Sequence, residues 1–453
     1  MESTNSKKTL DLTQGNIFTQ LLKFSLPILF GNVFQQTYNM VDAAIVGRFV
    51  GADALAAVGS SSNIIMMLLS IFFGTSMGAG VVIARSFGAK DYEGVQRGVH
   101  TMVAFGVIGG ILFTVLGEIL SPHILRWIST PESVLPQASI YFRIFFAGVL
   151  FNSLYNIGGG ILRAVGDSKR PLYYLIISCI VNTILDLLFV IVFQWGIAGA
   201  AWATVISQFV SFLLTYKTLL QKGTVYQLSI PKIRFHKEEL KSIIAIGLPS
   251  GIQNSIVSLS NIVVQASINS FGAMALAGYA SYSKIDGFAM MPASAFAMAT
   301  TTFISQNIGK GDFKRVRKGM KIGLVLNLLV AETVGIILAL YAPHFLKIFT
   351  TDPEIIRYGA LQASIVGPFF CLCAGSHAIA GILRGGGKST LPMIIIITFW
   401  CGLRMTWITQ VARPIHQISY VFYAYPITWS CSFIVLGLYC LKSGWLTKIE
   451  QGQ

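Results

Sequence analysis

Charge is scarce in this chain of 453 residues: only 11% are Asp, Glu, Lys or Arg, against 54% hydrophobic, with a mean hydropathy of +0.68. An ordinary soluble domain carries roughly 25% charged residues. Less than half of that, sustained over this length, excludes a water-soluble globular protein and predicts one with most of its mass in a bilayer. Cysteine is also sparse. The six (Cys179, Cys371, Cys373, Cys401, Cys431 and Cys440) all fall in apolar runs and none forms a CxxC pair. Neither a zinc site nor a disulfide framework follows from that pattern. Strict apolar–polar alternation is missing as well, which excludes an outer-membrane barrel. The six histidines are scattered, with no HExxH, so a membrane-embedded metallohydrolase has no motif to stand on. The first 16 residues, MESTNSKKTLDLTQGN, lack an apolar core and a small-residue cleavage site. They predict no cleaved signal peptide, with the first apolar helix kept.

What the chain has is apolar stretches of spanning length, each roughly 20 residues or more. Twelve are legible, at 17–47, 54–83, 96–119, 137–160, 171–193, 197–220, 242–270, 275–304, 319–341, 355–382, 390–411 and 419–441. The predicted fold class is therefore an all-α integral membrane protein with twelve transmembrane helices. The formal net charge of +15 suggests nucleic acid until its placement is considered. About three quarters of the 33 basic residues sit in segments on the N-terminal side of the predicted membrane, the positive-inside bias. The charge reports topology: a multi-pass protein of the cell membrane with both termini cytoplasmic, and no nucleic-acid partner.

An internal repeat organises the chain. ILRAVGDSKRP at 161–171 returns as ILRGGGKSTLP at 382–392, a spacing of 221 (382 − 161). The same spacing pairs Gly88, Asp91 and Gly98 with Gly309, Asp312 and Gly319, and a spacing of 222 pairs Pro27 with Pro249. Each half holds six spans, so both run in one direction across the membrane. That predicts two six-helix lobes related by a pseudo-twofold axis along the membrane normal, with a binding site between them. The expected division is 1–221 as the N-terminal lobe, 222–241 as a charged cytoplasmic connector and 242–453 as the C-terminal lobe. GGGKST at 385–390 imitates a phosphate-cradling loop, but Ile382 stands where that motif needs its first glycine and no strand precedes it. No nucleotide is expected.

Polar residues shared by both halves read as scaffold, and those present in one half only are candidates for function. Helix one carries Asn32, Gln35, Asn39 and Asp42 on one face; helix seven carries Asn254, Ser258, Asn261 and Gln265 in a similar stripe. Gln35, Asn39, Asn254, Asn261 and Gln265 are candidate lining of a substrate cavity, where amides escape lipid. Asp42 falls opposite Val264 in the repeat, and Asn182 and Asp186 of helix five fall opposite Leu403 and Trp407. Asp42 and Asp186 come out at similar depth, in the outer half of the bilayer. A carboxylate near the middle of a membrane helix costs about 2.5–3.5 kcal/mol on insertion scales. Two of them close together need a proton, or a sodium ion with the Asn182 oxygen as a further ligand. Asp42, Asn182 and Asp186 are thus the candidate cation-coupling residues, and metal ligands only if the coupling ion is Na+. Asp286 of helix eight is a candidate cavity residue or one half of an ion pair with Arg404.

These motifs resemble the multidrug and toxic compound extrusion (MATE) family of secondary transporters over essentially the full chain. The residues that carry the likeness are VDAAIVGRFVGADALAAVGSSSN (41–63), FGAKDYEGVQRG (87–98), VNTILD (181–186) and the two ILR loops. The resemblance implies two lobes in a V and antiport: amphipathic, often cationic compounds leave in exchange for H+ or Na+ by alternating access. It implies that Asp42, Asn182 and Asp186 couple the cation, with no cofactor beyond that ion, and that Pro27 is a hinge. A proline inside a helix frees a backbone carbonyl and permits a bend. The family's helix-seven Glu has no counterpart here, since helix seven offers only amides. Expected partners are small amphipathic molecules and membrane lipids, and nothing in the sequence demands more than a monomer. A flippase for lipids or lipid-linked oligosaccharides, of the same broad superfamily, is the alternative; it predicts a cavity rich in Arg and Lys for phosphate head groups, whereas the first-half spans carry acids and amides.

Overall fold

The computed structural model describes residues 10–127, 132 and 134–451, so Lys7 and Lys8 lie outside the described residues. Among those, all regular structure is helical. The long elements are α1 Ile17–Phe49, α2 Ala52–Gly88, α3 Tyr92–Trp127, α4 Leu135–Ala164, α5 Lys169–Val192 and α6 Gly196–Leu219. In the second half they are α7 Lys237–Asn269, α8 Ala273–Lys310, α9 Phe313–Leu346, α10 Pro353–Gly385, α11 Thr390–Ile415 and α12 Ile418–Lys442. Eleven of these twelve are long and apolar enough to cross a membrane over their described residues. The other, α2, has 37 residues. Each of the twelve expected spans falls on one of these helices.

The helices are built inside out relative to a soluble bundle. On α3, Ile108, Ile111, Leu112, Val115, Leu116 and Ile119 form one exposed stripe at helical spacing. Glycines line the opposite side. A methyl group on Gly117 would sit 1.9 Å from the Phe146 ring, and one on Gly110 would sit 2.6 Å from the Leu150 side chain. Small residues let α3 and α4 approach closely, and dispersion replaces the hydrophobic drive that lipid does not supply. In the second half, Gly335 of α9 and Gly367 of α10 play the same part: a Cβ on either would meet the other's carbonyl oxygen, at 2.2 and 2.6 Å.

Several spans are interrupted. α8 breaks after Ala289 and resumes at Met291 with Pro292 in its first turn. α10 carries a 3-10 turn at Gly367–Phe369 around Pro368. Both fifth helices of the repeat contain wide π turns: Leu187–Val192 in α5, and Thr398–Leu403 and Ile408–Ala412 in α11. Such turns concentrate at functional sites.

By internal contacts the chain forms two compact units, and the division does not follow chain order. The first comprises Met1–Asp11 and Phe30–Leu248, the second Leu12–Leu29 and Pro249–Gln453. α1 and α7 are thus each divided, at points within two or three residues of the repeat-related Pro27 and Pro249. In the first unit, the connector docks on α3: the Ser229 N–H donates to His100 Nε2 at 3.0 Å and the His236 N–H to Thr101 Oγ1 at 3.0 Å. In the second, Arg315 donates to the carbonyls of Leu12, Gln14 and Gly15, and Lys310 to that of Thr13 at 2.9 Å, holding the segment before α1.

Candidate cation site

Within the first unit, α1, α4, α5 and α6 bring together the residues that the repeat singles out. Asp42, Asn182 and Asp186 are all buried, at 8%, 1% and 0% exposure. Asn182 and Asp186 lie one turn apart on α5, so their side chains share a face. With the amide oriented to satisfy both its ends, Asn182 Nδ2 donates to Asp186 Oδ2 at 2.8 Å and Asn182 Oδ1 accepts from the Thr204 N–H at 3.2 Å. The carboxyls of Asp42 and Asp186 stand within hydrogen-bonding reach of one another. Two carboxylates in a medium of low dielectric cannot approach so closely without a proton or a small cation between them.

One oxygen of each acid, Asp42 Oδ1 and Asp186 Oδ1, is buried with no hydrogen-bond partner among the described residues. No Lys or Arg among them pairs with either acid, and Arg143, near the start of α4, is exposed. Leaving such an oxygen unmet inside a protein costs about 1–3 kcal/mol, and more when charged. The site is therefore two carboxylates and an amide with two acceptor positions open. That donor set suits H+ or a hard cation held by oxygen.

Three further side chains complete the site. The Tyr38 hydroxyl donates to Thr204 Oγ1 at 3.5 Å, and Tyr38 and Tyr141 both lie in the field of Asp42 and Asp186. Tyr38 precedes Asp42 by four residues, a helical spacing that sequence alone offers. Thr204 and Tyr141 carry no such signal. Tyr38 also forms one wall of a cavity of about 270 Å3 between α1 and α5, with Phe34, Val41, Cys179, Thr183 and Ile184.

The candidate cavity residues are divided between the two units. Gln35 donates to Asn39 at 3.4 Å on the first unit. Asn254 and Gln265 are exposed on the second, and Asn261 accepts from Arg404 Nη1 at 3.2 Å. Asp286 is half-buried beside Tyr282, and it makes no ion pair with Arg404 or with any other described residue. Glu332 accepts the Cys371 N–H at 3.1 Å, a structural role.

Known proteins agree with this architecture. The MatE family profile matches residues 27–188 and again 249–408, one copy in each half of the repeat. The "Probable multidrug resistance protein YpnP" of Bacillus subtilis (strain 168) is 30% identical over 394 residues, covering 87% of this chain and 88% of that one. The "Probable multidrug resistance protein NorM" of Thermotoga maritima is 29% identical, with 84% and 83% covered. A solved outward-facing multidrug resistance MATE transporter superposes with a TM-score of 0.91 at 21% identity, covering 100% of both chains. With a duplicated family match over most of its length, a buried acidic pair in the first copy and the same twelve-helix fold, this chain belongs to the MATE family of membrane transporters.

Proposed function

We propose that the protein exports amphipathic, cationic organic compounds across the cell membrane in exchange for H+ or Na+, and that Asp42, Asn182 and Asp186 bind the coupling ion. The observation that carries this reading is the pair of buried carboxylate oxygens on Asp42 and Asp186 that have no hydrogen-bond partner and no basic side chain to neutralise them among the described residues. A permanent structural role would have been met by an arginine or lysine. A site whose negative charge is completed only by a mobile ion is stable when loaded and costly when empty.

Coupling then follows from differential binding. The ion must favour one access state over the other, because equal affinity for both would shift nothing. Loading from outside stabilises the state that releases substrate outward. Unloading to the cytoplasm leaves the acids charged and restores the state that takes substrate up. The 270 Å3 cavity is walled by Tyr38, which lies in the field of the acids, and its Phe34, Val41 and Ile184 suit the apolar part of an amphipathic substrate. Occupancy of the acids is thereby felt at the cavity through Tyr38, the residue common to both.

The test is transport of a fluorescent lipophilic cation in vesicles holding the purified protein, with proton and sodium gradients imposed one at a time. Movement driven by one of them supports antiport and identifies the ion. If neither gradient moves any of a panel of such cations, antiport fails.

A further inference from the structure

We propose that Arg404 is a built-in cation in the second unit's counterpart of the Asp42–Asp186 site, so that the protein exchanges a small cation through its first unit alone. The inference rests on the coupling role given above to the first unit's acids.

The repeat makes the comparison direct. α7, α11 and α12 in the second half stand where α1, α5 and α6 stand in the first. Spacings of 221 and 222 set Tyr425 opposite Thr204, Trp407 opposite Asp186, Asn261 opposite Asn39 and Val264 opposite Asp42. The acid positions are therefore apolar in the second unit. Arg404, opposite Thr183, sits one residue beyond the position of Asn182. It is 1% exposed, and a guanidinium inside a membrane protein is costly unless it is held for a purpose.

Its partners come from all three helices. Nη1 donates to Asn261 Oδ1 of α7 at 3.2 Å, and Nη2 to Thr428 Oγ1 of α12 at 3.3 Å. The guanidinium carbon lies 4.5 Å from the centre of the Tyr425 ring and 5.9 Å from that of Trp400. Two neutral acceptors and two aromatic faces are a cation's coordination shell, supplied without a carboxylate. Nε has no partner among the described residues. Arg404 and Asp286 of α8 both act on Cys373 and Tyr425, yet no ion pair forms between them, and the other groups facing the guanidinium are Tyr279 and Cys401. The charge is thus balanced loosely and stays in place. Arg163 and Arg384, by contrast, recur at the same position of both halves and belong to the shared scaffold.

One junction is negative with open positions for an ion; its repeat is positive and already filled. The second unit thereby keeps the electrostatic state that the first reaches only when loaded. A tethered cation cannot be exchanged, so each cycle moves only the single ion that the first unit's two acids share.

The test uses the full chain in vesicles. The number of small cations exchanged per substrate cation is measured from the membrane potential at which transport reverses, together with rates for Arg404→Lys and Arg404→Met. One small cation per cycle is expected in the unaltered protein. The lysine variant should transport within about threefold of it, and the similarly sized methionine variant at least tenfold more slowly. The concentration of coupling ion giving half-maximal rate should stay within twofold in both, since the first unit's site is intact. Equal rates for lysine and methionine would mean that Arg404 acts by volume alone and would overturn the proposal. Two small cations per cycle with Arg404 in place would overturn it too, and that measurement needs no variant to fold. Unaltered protein that responds to no gradient would bring down the coupling reading itself, and this inference with it.

Discussion

Asn182 holds Asp186: the amide Nδ2 of the first donates to Oδ2 of the second at 2.8 Å, one turn along α5, while the other end of the amide is fixed by the Thr204 N–H of α6. An amide tied at both ends keeps the Asp186 carboxyl from rotating and leaves its Oδ1 buried without a partner among the described residues. Replacing Asn182 by Leu removes a hydrogen bond to a charged group, worth about 1.5–3 kcal/mol. That bond favours the charged, unloaded carboxylate, so with H+ as the coupling ion the concentration that gives half-maximal transport should fall about ten- to a hundredfold. An unchanged value would show that the amide does not orient the acid.

Asp42→Asn and Asp186→Asn should each abolish gradient-driven transport, and the double variant should be no worse than either alone. In the proposed scheme the two acids share one ion, so removing either removes the site, and effects within such a unit do not add. Transport rates in vesicles under an imposed gradient check this. Partial losses that multiply in the double variant would mean two independent sites.

Cys179 is a partly exposed free thiol in the wall of the 270 Å3 cavity. In a protein whose other five cysteines are serine, a membrane-permeant maleimide should modify Cys179 and block transport. Saturating lipophilic cation should slow that modification at least fivefold. Mass spectrometry of the labelled protein measures it, and labelling at the same rate with and without the cation would take this cavity out of the substrate's path.

Gly117→Val should destabilise the first unit, because its Cβ would sit 1.9 Å from the Phe146 ring and helix axes cannot part without losing the α3–α4 interface. Overpacking of this sort costs about 1–3 kcal/mol. The melting temperature in detergent should fall, and adding Phe146→Ala should recover part of the loss. A valine variant as stable as the parent would mean that the helices yield there.

Arg315→Ala should release the segment before α1 from the second unit, since that one guanidinium bonds the Leu12, Gln14 and Gly15 carbonyls. Hydrogen exchange of the amides at 12–16 should accelerate at least tenfold, while exchange within α9 stays slow. Unchanged protection at 12–16 would show that Lys310 and Asn307 suffice to hold it.

Much of this was written into the chain locally. A span is a run of about 20 apolar residues, whatever it later packs against, and all twelve expected spans fall on helices. The repeat is visible because duplication leaves a constant spacing, and that spacing exposes Asp42, Asn182 and Asp186 as residues present in one half only. Tertiary contact decided the rest. Thr204 and Tyr141 join the acids from helices far along the chain, through helix rotations that no single segment encodes. Of the two readings of Asp286, the ion pair with Arg404 does not form; Asn261, Thr428 and two aromatic rings hold the guanidinium instead.

Sequence by itself determined how many apolar spans the chain holds and which acids stand in one half only, since transfer into lipid is weighed residue by residue along a single helix. Only the tertiary structure decided that α1 and α7 are each divided between two units, and that one junction buries two carboxylate oxygens without a partner among the described residues while its repeat holds an arginine. Those outcomes depend on which faces meet, and a buried charge takes its meaning from whatever stands across from it.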